Sequence, residues 1–160
     1  PWELQGQTSA QIKVTIEDTQ GPLYTLPLAD FSPAFFEYTE SGTKRLLLAA
    51  LDSANRVISS THPAQSGQVV QLYANGLGPV DNQPPTGEPA SASPLSHALT
   101  LPTVTIAGQA ATVQFSGLAP GFPGLYQVNV EVPAGVPSGV QPVVLKINGV
   151  TSPAANLPVQ

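Results

Sequence analysis

The chain has 160 residues, of which only 9% are charged, with five Lys and Arg against ten Asp and Glu and a formal net charge of −5. Soluble domains carry about 25% charged residues, and this acidic, charge-poor balance excludes a protein that binds nucleic acid or an anionic membrane. Because cysteine is absent, disulfides, thiol catalysis and cysteine metal sites are excluded as well.

Alternation of apolar and polar residues with a period of two predicts β-strands along most of the chain. No stretch shows a helical period over three turns, and residues 35–38 are expected to form a single turn at most. No apolar run approaches the roughly 20 residues that span a bilayer, and the six-residue run 46–51 is typical of a buried strand. In chain order, the predicted strands occupy residues 11–17, 46–51, 68–73, 103–106, 111–115, 125–132 and 143–147.

Turn residues separate these strands at intervals of about 8–12 residues, as in a β-sandwich. Asn75-Gly76 and Asn148-Gly149 are strong turn dipeptides, and residues 107–110 predict a hairpin between two strands. Residues 78–94 carry five prolines and no strand pattern. They are expected to form a proline-stiffened connection between strands, with a functional loop as the alternative.

An internal repeat appears when the first thirty residues are aligned with the last thirty at an offset of 131. The alternating apolar residues of the first predicted strand then coincide with those of the last, and both copies close on a Leu-Pro-apolar triplet. The matched positions are Ile12, Val14 and Ile16 with Val143, Leu145 and Ile147, and residues 26–28 with residues 157–159.

The repeat predicts an all-β chain with one complete β-sandwich preceded by a partial second sandwich. Residues 1–30 are interpreted as the second half of an immunoglobulin-like repeat, residues 31–62 as a connecting β-hairpin segment, and residues 63–160 as the complete sandwich. Since the chain begins at Pro1 without an initiator Met, it is expected to be a processed product or a fragment.

Several segments carry a resemblance to known families. Residues 63–78 resemble the opening of immunoglobulin-like IPT/TIG domains, and residues 104–113 resemble their central hairpin. The whole chain is similar to an uncharacterised Solibacter-type C-terminal domain family of secreted acidobacterial proteins, through residues 1–7, 73–79, 89–95 and 117–130. The resemblance implies an immunoglobulin-like (E-set-like) sandwich in an extracellular or cell-surface protein, and it supplies no activity, cofactor or catalytic residue.

Residues that could carry catalysis or bind a metal form no recognisable motif. His62 and His97 are far apart and neither has an acidic neighbour, so no metal site is predicted. Ser96 lies beside His97, and on an extended segment the two side chains point to opposite faces. Glu37 and Glu40 are expected to lie on a solvated surface. We therefore expect no enzyme, no cofactor and no metal.

Four aromatic residues cluster within eight positions: Phe31, Phe35, Phe36 and Tyr38. Core or inter-domain packing is the first interpretation. The alternative is a surface that binds a partner or a carbohydrate such as a surface glycan.

A half-sandwich would expose strand edges and an apolar face, and exposed edges pair readily with other chains. We therefore predict a non-enzymatic structural protein, a subunit of a homopolymeric surface filament whose copies associate head-to-tail by β-strand pairing or completion. The alternatives are a monomeric adhesion or spacer module at the C-terminus of a larger secreted protein, and a carbohydrate-binding sandwich. The predicted interface residues are Pro1, Trp2, Leu4, Ile12, Val14, Ile16, Leu23, Leu26 and Leu28.

Overall fold

The computed structural model describes residues 2–160, which are almost entirely β-structure and contain no α-helix. This confirms the predicted all-β class. A single 3₁₀ turn spans Trp2–Leu4. The strands are β1 (Ser9–Ile16), β2 (Thr19–Pro27), β3 (Ala34–Phe35), β4 (Glu37–Thr39), β5 (Leu46–Leu48), β6 (Ala50–Asp52), β7 (Val69–Asn75), β8 (Thr103–Ile106), β9 (Gln109–Leu118), β10 (Tyr126–Glu131), β11 (Gly139–Ile147), β12 (Val150–Thr151) and β13 (Ala155–Val159).

Nine of these strands form one curled antiparallel sheet that encloses the core. Its order is β12-β11-β8-β9-β10-β7-β3, with β13 also paired to β11 and β6 also paired to β7. Strand β9 serves both halves of the sheet, because residues 109–111 pair with β8 whereas most of residues 112–118 pair with β10. The curled sheet therefore has the two-layered form of a sandwich.

The core lies between these layers and follows the predicted alternation. In β7 and β10 every second residue is buried, because successive side chains of a strand point to opposite faces. Leu72, Val128 and Val130 have no exposed surface. Apolar residues of β8, β11 and β13 complete the same core cluster.

Residues 31–62, interpreted above as a connecting segment, also contribute to this sandwich. Strands β3 and β6 pair with β7 at neighbouring positions along its edge. Leu47, Leu48 and Ile58 are fully buried. The single turn expected at residues 35–38 is replaced by extended structure, since β3 and β4 occupy these positions.

Strands β1 and β2 stand apart as a two-stranded sheet, and their pairing reproduces that of β11 with β12 and β13. Adding 131 to six of the seven pairs of the first hairpin gives a pair of the second, so that Ile16↔Thr19 becomes Ile147↔Val150. The same rule relates Ser9↔Pro27 to Val140↔Pro158 and Ile12↔Tyr24 to Val143↔Ala155. The repeat predicted from the sequence is thus preserved in the backbone register at all but one of these pairs.

Candidate functional site

The β1–β2 hairpin exposes one apolar face along its length. Opposite residues of an antiparallel pair share a face, so the pairs Ile12↔Tyr24 and Ala10↔Leu26 place their side chains together. Val14 is 59% exposed and Ile16 is 71% exposed. We call this surface the apolar hairpin face; it consists of Ile12, Val14, Ile16, Tyr24, Leu26 and the half-buried Leu28.

The counterpart of this face in the second repeat is buried at every position. Strands β11 and β13 place the equivalent side chains in the same core cluster as residues of β7 and β10. None of the six is more than 3% exposed: Val143, Leu145, Ile147, Ala155, Leu157 and Val159. The two repeats therefore share an apolar pattern and a register but differ in what covers the apolar side.

The two outer edges of the hairpin differ in their capacity to pair with another strand. Among residues 2–160, β1 and β2 pair only with each other. Strand β2 carries Pro22 and Pro27, and proline protects a sheet edge because it lacks a backbone N–H. Strand β1, Ser9–Ile16, contains neither proline nor glycine. The edge of β1 is therefore the one that lacks proline protection.

The opposite face of the hairpin is largely polar and includes Lys13, whose Nζ donates a hydrogen bond to Gln20 Oε1. Leu23 pairs directly with Lys13 and so lies on this polar face, 56% exposed, although we grouped it with the apolar set from the sequence. Tyr24, which is not among the predicted interface residues, pairs with Ile12 and lies on the apolar face. A bulge between the two strands changes the spacing there, and the signal for it was the glycine-proline pair at residues 21–22.

The N-terminal segment attaches the hairpin to the sandwich. Trp2 is half-buried against the core, and its backbone N–H donates to Thr86 Oγ1 at 3.2 Å. The Thr86 hydroxyl donates to Glu3 Oε2 at 2.9 Å. Hydrogen bonds from its own backbone N–H and from Thr86 hold the pKa of Glu3 below its ordinary value. Trp2 thus contacts its own chain, and Pro1, also predicted as an interface residue, lies outside the described residues.

An open cleft of about 490 Å³ lies between this segment and the sandwich. Its walls include Trp2, Leu4, Leu28 and Tyr126. The Tyr126 hydroxyl donates to the backbone oxygen of Gly78. The predicted interface residues Trp2, Leu4 and Leu28 therefore meet at the base of the hairpin, away from the exposed positions of β1.

The four clustered aromatic residues do not share one surface. Phe31 and Phe35 are half-buried against the core, as the packing interpretation predicted. The Tyr38 hydroxyl donates to the backbone oxygen of Ile58 at 2.8 Å, and Phe36 is 45% exposed. These contacts favour packing for three of the four residues.

A buried carboxylate organises the turn after β6. Asp52 is 1% exposed and accepts hydrogen bonds from the backbone N–H groups of Arg56 and Ala54, both at 2.9 Å. The Arg56 guanidinium lies 2.8 Å away and His62 Nε2 lies 2.9 Å away. Hydrogen bonds from the Arg56 backbone and from His62 hold the pKa of Asp52 well below its usual range. This network holds a turn in place and was not predicted from the sequence.

Ser96 and His97 point in different directions, as the sequence predicts for neighbours on an extended segment. The buried Ser96 hydroxyl donates to the backbone oxygen of Asn82 at 2.9 Å. The exposed His97 ring lies with Nδ1 3.2 Å from Asp81 Oδ2. The serine and histidine side chains therefore have separate partners.

Two kinds of feature are absent from the part of the chain that the structure describes. No group of three or more His, Asp or Glu residues there is arranged to hold a metal ion. None of its helices has the length and apolarity needed to cross a membrane. Comparisons of the chain with protein-family models, with curated proteins and with solved structures find no match.

Proposed function

We propose that this chain is a non-enzymatic structural protein of the cell surface, a subunit of a homopolymeric filament whose copies associate through the apolar hairpin face. The observation that carries the proposal is the contrast between the two repeats. The face of β1 and β2 is exposed, whereas the face with the same register in β11 and β13 is buried. The extracellular location rests on the family resemblance described above.

The size of the exposed face supports association. Burying a large aliphatic or aromatic side chain contributes about 1.5–3 kcal/mol. With six side chains roughly half exposed, covering the face would contribute on the order of 5–10 kcal/mol. This is comparable with the whole stability of a typical domain, so a partner that covers the face gains a large driving force.

A head-to-tail filament needs a different surface on the next subunit to receive the hairpin. Leu99 and Leu101 offer one, since they are 65% and 73% exposed on the sandwich just before β8. The sandwich also presents little charge to oppose the contact, because Glu131 and Lys146 are the only charged residues after Glu88. We assign the segment around Leu99 and Leu101 as the acceptor surface.

The first experiment compares two aspartate substitutions on β1. Val14→Asp places a charge on the apolar hairpin face, and Thr15→Asp places the same charge on the polar face of the same strand. Light scattering and negative-stain microscopy should show concentration-dependent assembly for the unmodified chain and for Thr15→Asp, and monomers for Val14→Asp. A stable monomer of the unmodified chain at all concentrations would refute the proposal.

A mixing experiment tests the head-to-tail arrangement. Val14→Asp disables the hairpin and Leu101→Asp disables the acceptor, so each variant alone should be monomeric. An equimolar mixture should form dimers that do not grow further, because each dimer joins one intact hairpin to one intact acceptor. Assembly of Leu101→Asp by itself would contradict this arrangement.

The identical register of the two repeats also favours a second candidate, an adhesion or spacer module of a larger secreted protein. The hairpin has the pairing of half a sandwich, and strands from another part of the same polypeptide could complete it as β7 to β10 complete the second repeat. In that case, a longer polypeptide that contains both this chain and the completing strands should be monomeric. Val14→Asp should then lower its unfolding temperature.

A further inference from the structure

The unprotected edge of β1 has a paired counterpart in the second repeat. There β11 has two neighbours, with β12 and β13 on one side and β8 on the other. The pairs with β8 join Val143 to Ile106 and Lys146 to Thr103 in antiparallel order. Subtracting 131 places the equivalent open positions at Ile12 to Thr15 of β1.

From this equivalence we propose that β1 accepts an antiparallel β-strand of a partner, with the pattern of β8, in one defined register. The partner strand carries apolar residues at alternate positions, and its second apolar residue, equivalent to Ile106, lies opposite Ile12. The proposal rests on the proposed function, because it specifies a strand-pairing contact of a partner that binds the hairpin. The chain's own β8 cannot supply the strand, since β9 and β11 occupy both of its edges.

The side chains on both faces fit such a strand. On one face, the partner's two apolar residues would lie beside Ile12 and Val14 and widen the apolar hairpin face. On the other face, its two polar residues would lie opposite Lys13 and Thr15, as Thr105 and Thr103 lie opposite Val144 and Lys146 in the second repeat. A shift of one residue would reverse both faces, so the apolar pattern specifies the register.

The test uses a synthetic peptide of residues 101–108, which contains the β8 sequence, as the partner strand. Because the chain has no cysteine, Lys13→Cys introduces a unique thiol on the polar face of β1. One peptide carries Thr105→Cys, the residue expected opposite position 13, and the control peptide carries Thr103→Cys, which is displaced by two residues on the same face. Chain and peptide are mixed with oxidised glutathione, and the mixed disulfide is measured by mass spectrometry.

We expect the Thr105→Cys peptide to cross-link about tenfold faster than the control, since directly opposite Cβ atoms lie about 5 Å apart whereas diagonal ones lie 7–8 Å apart. Adding Val104→Pro to the Thr105→Cys peptide should abolish this preference, because proline disrupts strand pairing. Equal rates for the two cysteine peptides, or a faster control, would overturn the inference.

Light scattering on the unmodified chain separates this inference from the proposed function. If the chain assembles but the two cysteine peptides cross-link at equal rates, the strand-pairing inference fails and the proposed function stands. If the chain stays monomeric but the Thr105→Cys peptide cross-links in register, the β1 edge is confirmed as a strand acceptor. Copies of the chain are then excluded as its partner.

Discussion

Isoleucine occupies the same position in both repeats, and the two copies differ in what covers the side chain. Ile16 and Ile147 both end the first strand of their hairpin and pair with the first residue after the turn. Ile16 is 71% exposed, whereas Ile147 is 1% exposed. Substituting each with alanine removes the same atoms from the same backbone position, so the pair isolates the effect of burial.

The expected magnitudes differ widely. Ile147→Ala opens a cavity in the core and should lower the free energy of unfolding by about 2–5 kcal/mol. For a domain of this size, that corresponds to a fall of about 4–20 °C in the unfolding temperature. Ile16→Ala removes a solvated side chain and should change the free energy of unfolding by no more than about 0.5 kcal/mol in the monomer.

Urea denaturation at low protein concentration measures both changes, with the slope of the transition as the check on two-state behaviour. Raising the concentration should then stabilise the unmodified chain more than Ile16→Ala, because only association covers this side chain. A loss of more than about 1 kcal/mol for Ile16→Ala in the dilute monomer would refute the reasoning. It would mean that the isolated chain already buries the apolar hairpin face.

Three further predictions concern the sandwich. Gly76→Ala should destabilise the chain far more than Gly67→Ala. Both glycines have positive φ, but only at position 76 would the new Cβ lie 1.9 Å from a backbone oxygen, that of Ser32. Thermal unfolding of the two variants checks this prediction. Burial raises the pKa of Tyr126 to about 12. The free energy of unfolding should therefore fall as the pH rises from about 10, the ordinary pKa of tyrosine, towards 12. Urea titrations should show a smaller fall in Tyr126→Phe. Because the pKa of Asp52 is lowered in the folded state, its ionised carboxylate stabilises the fold at pH values above the ordinary carboxyl pKa. This contribution is lost as the pH falls from there through the pKa of the folded state. Asp52→Asn should therefore be less stable than the parent near neutral pH and lose less on acidification, as followed by circular dichroism.

Local pattern was sufficient to predict the strands that alternate over four or more residues. The apolar positions of β1 and β11 repeat with period two, and each strand is followed directly by its turn. Predicting these strands and turns therefore required no knowledge of tertiary contacts. The offset of 131 likewise compares local features alone. This explains why strand β8 and its hairpin with β9 agree with the sequence prediction, and why the repeat predicted at this offset reappears in the backbone pairing.

Contacts between distant segments were harder to predict. Strands β3 to β6 are two or three residues long, too short for any period to be visible. The place of β3 and β6 beside β7, and the pairing of β4 with β5, depend on contacts across the fold. The assignment of Leu23 and Tyr24 to opposite faces depended on a bulge that shifts the pairing by one residue. The Asp52 network joins Arg56 and His62 to Asp52, and these side chains come together only when the turn after β6 has formed.

The two hairpins show that the local pattern specifies a hairpin but not its burial. The turn of each begins with a non-glycine residue at positive φ, Glu17 in the first and Asn148 in the second. A two-stranded hairpin is marginally stable by itself, and in the second repeat residues 63–132 supply the opposing layer and the neighbouring strand β8. The first hairpin has the same apolar spacing and the same register without that cover. A largely exposed face that matches a buried one at six equivalent positions is therefore best explained as a surface that another β-sheet covers.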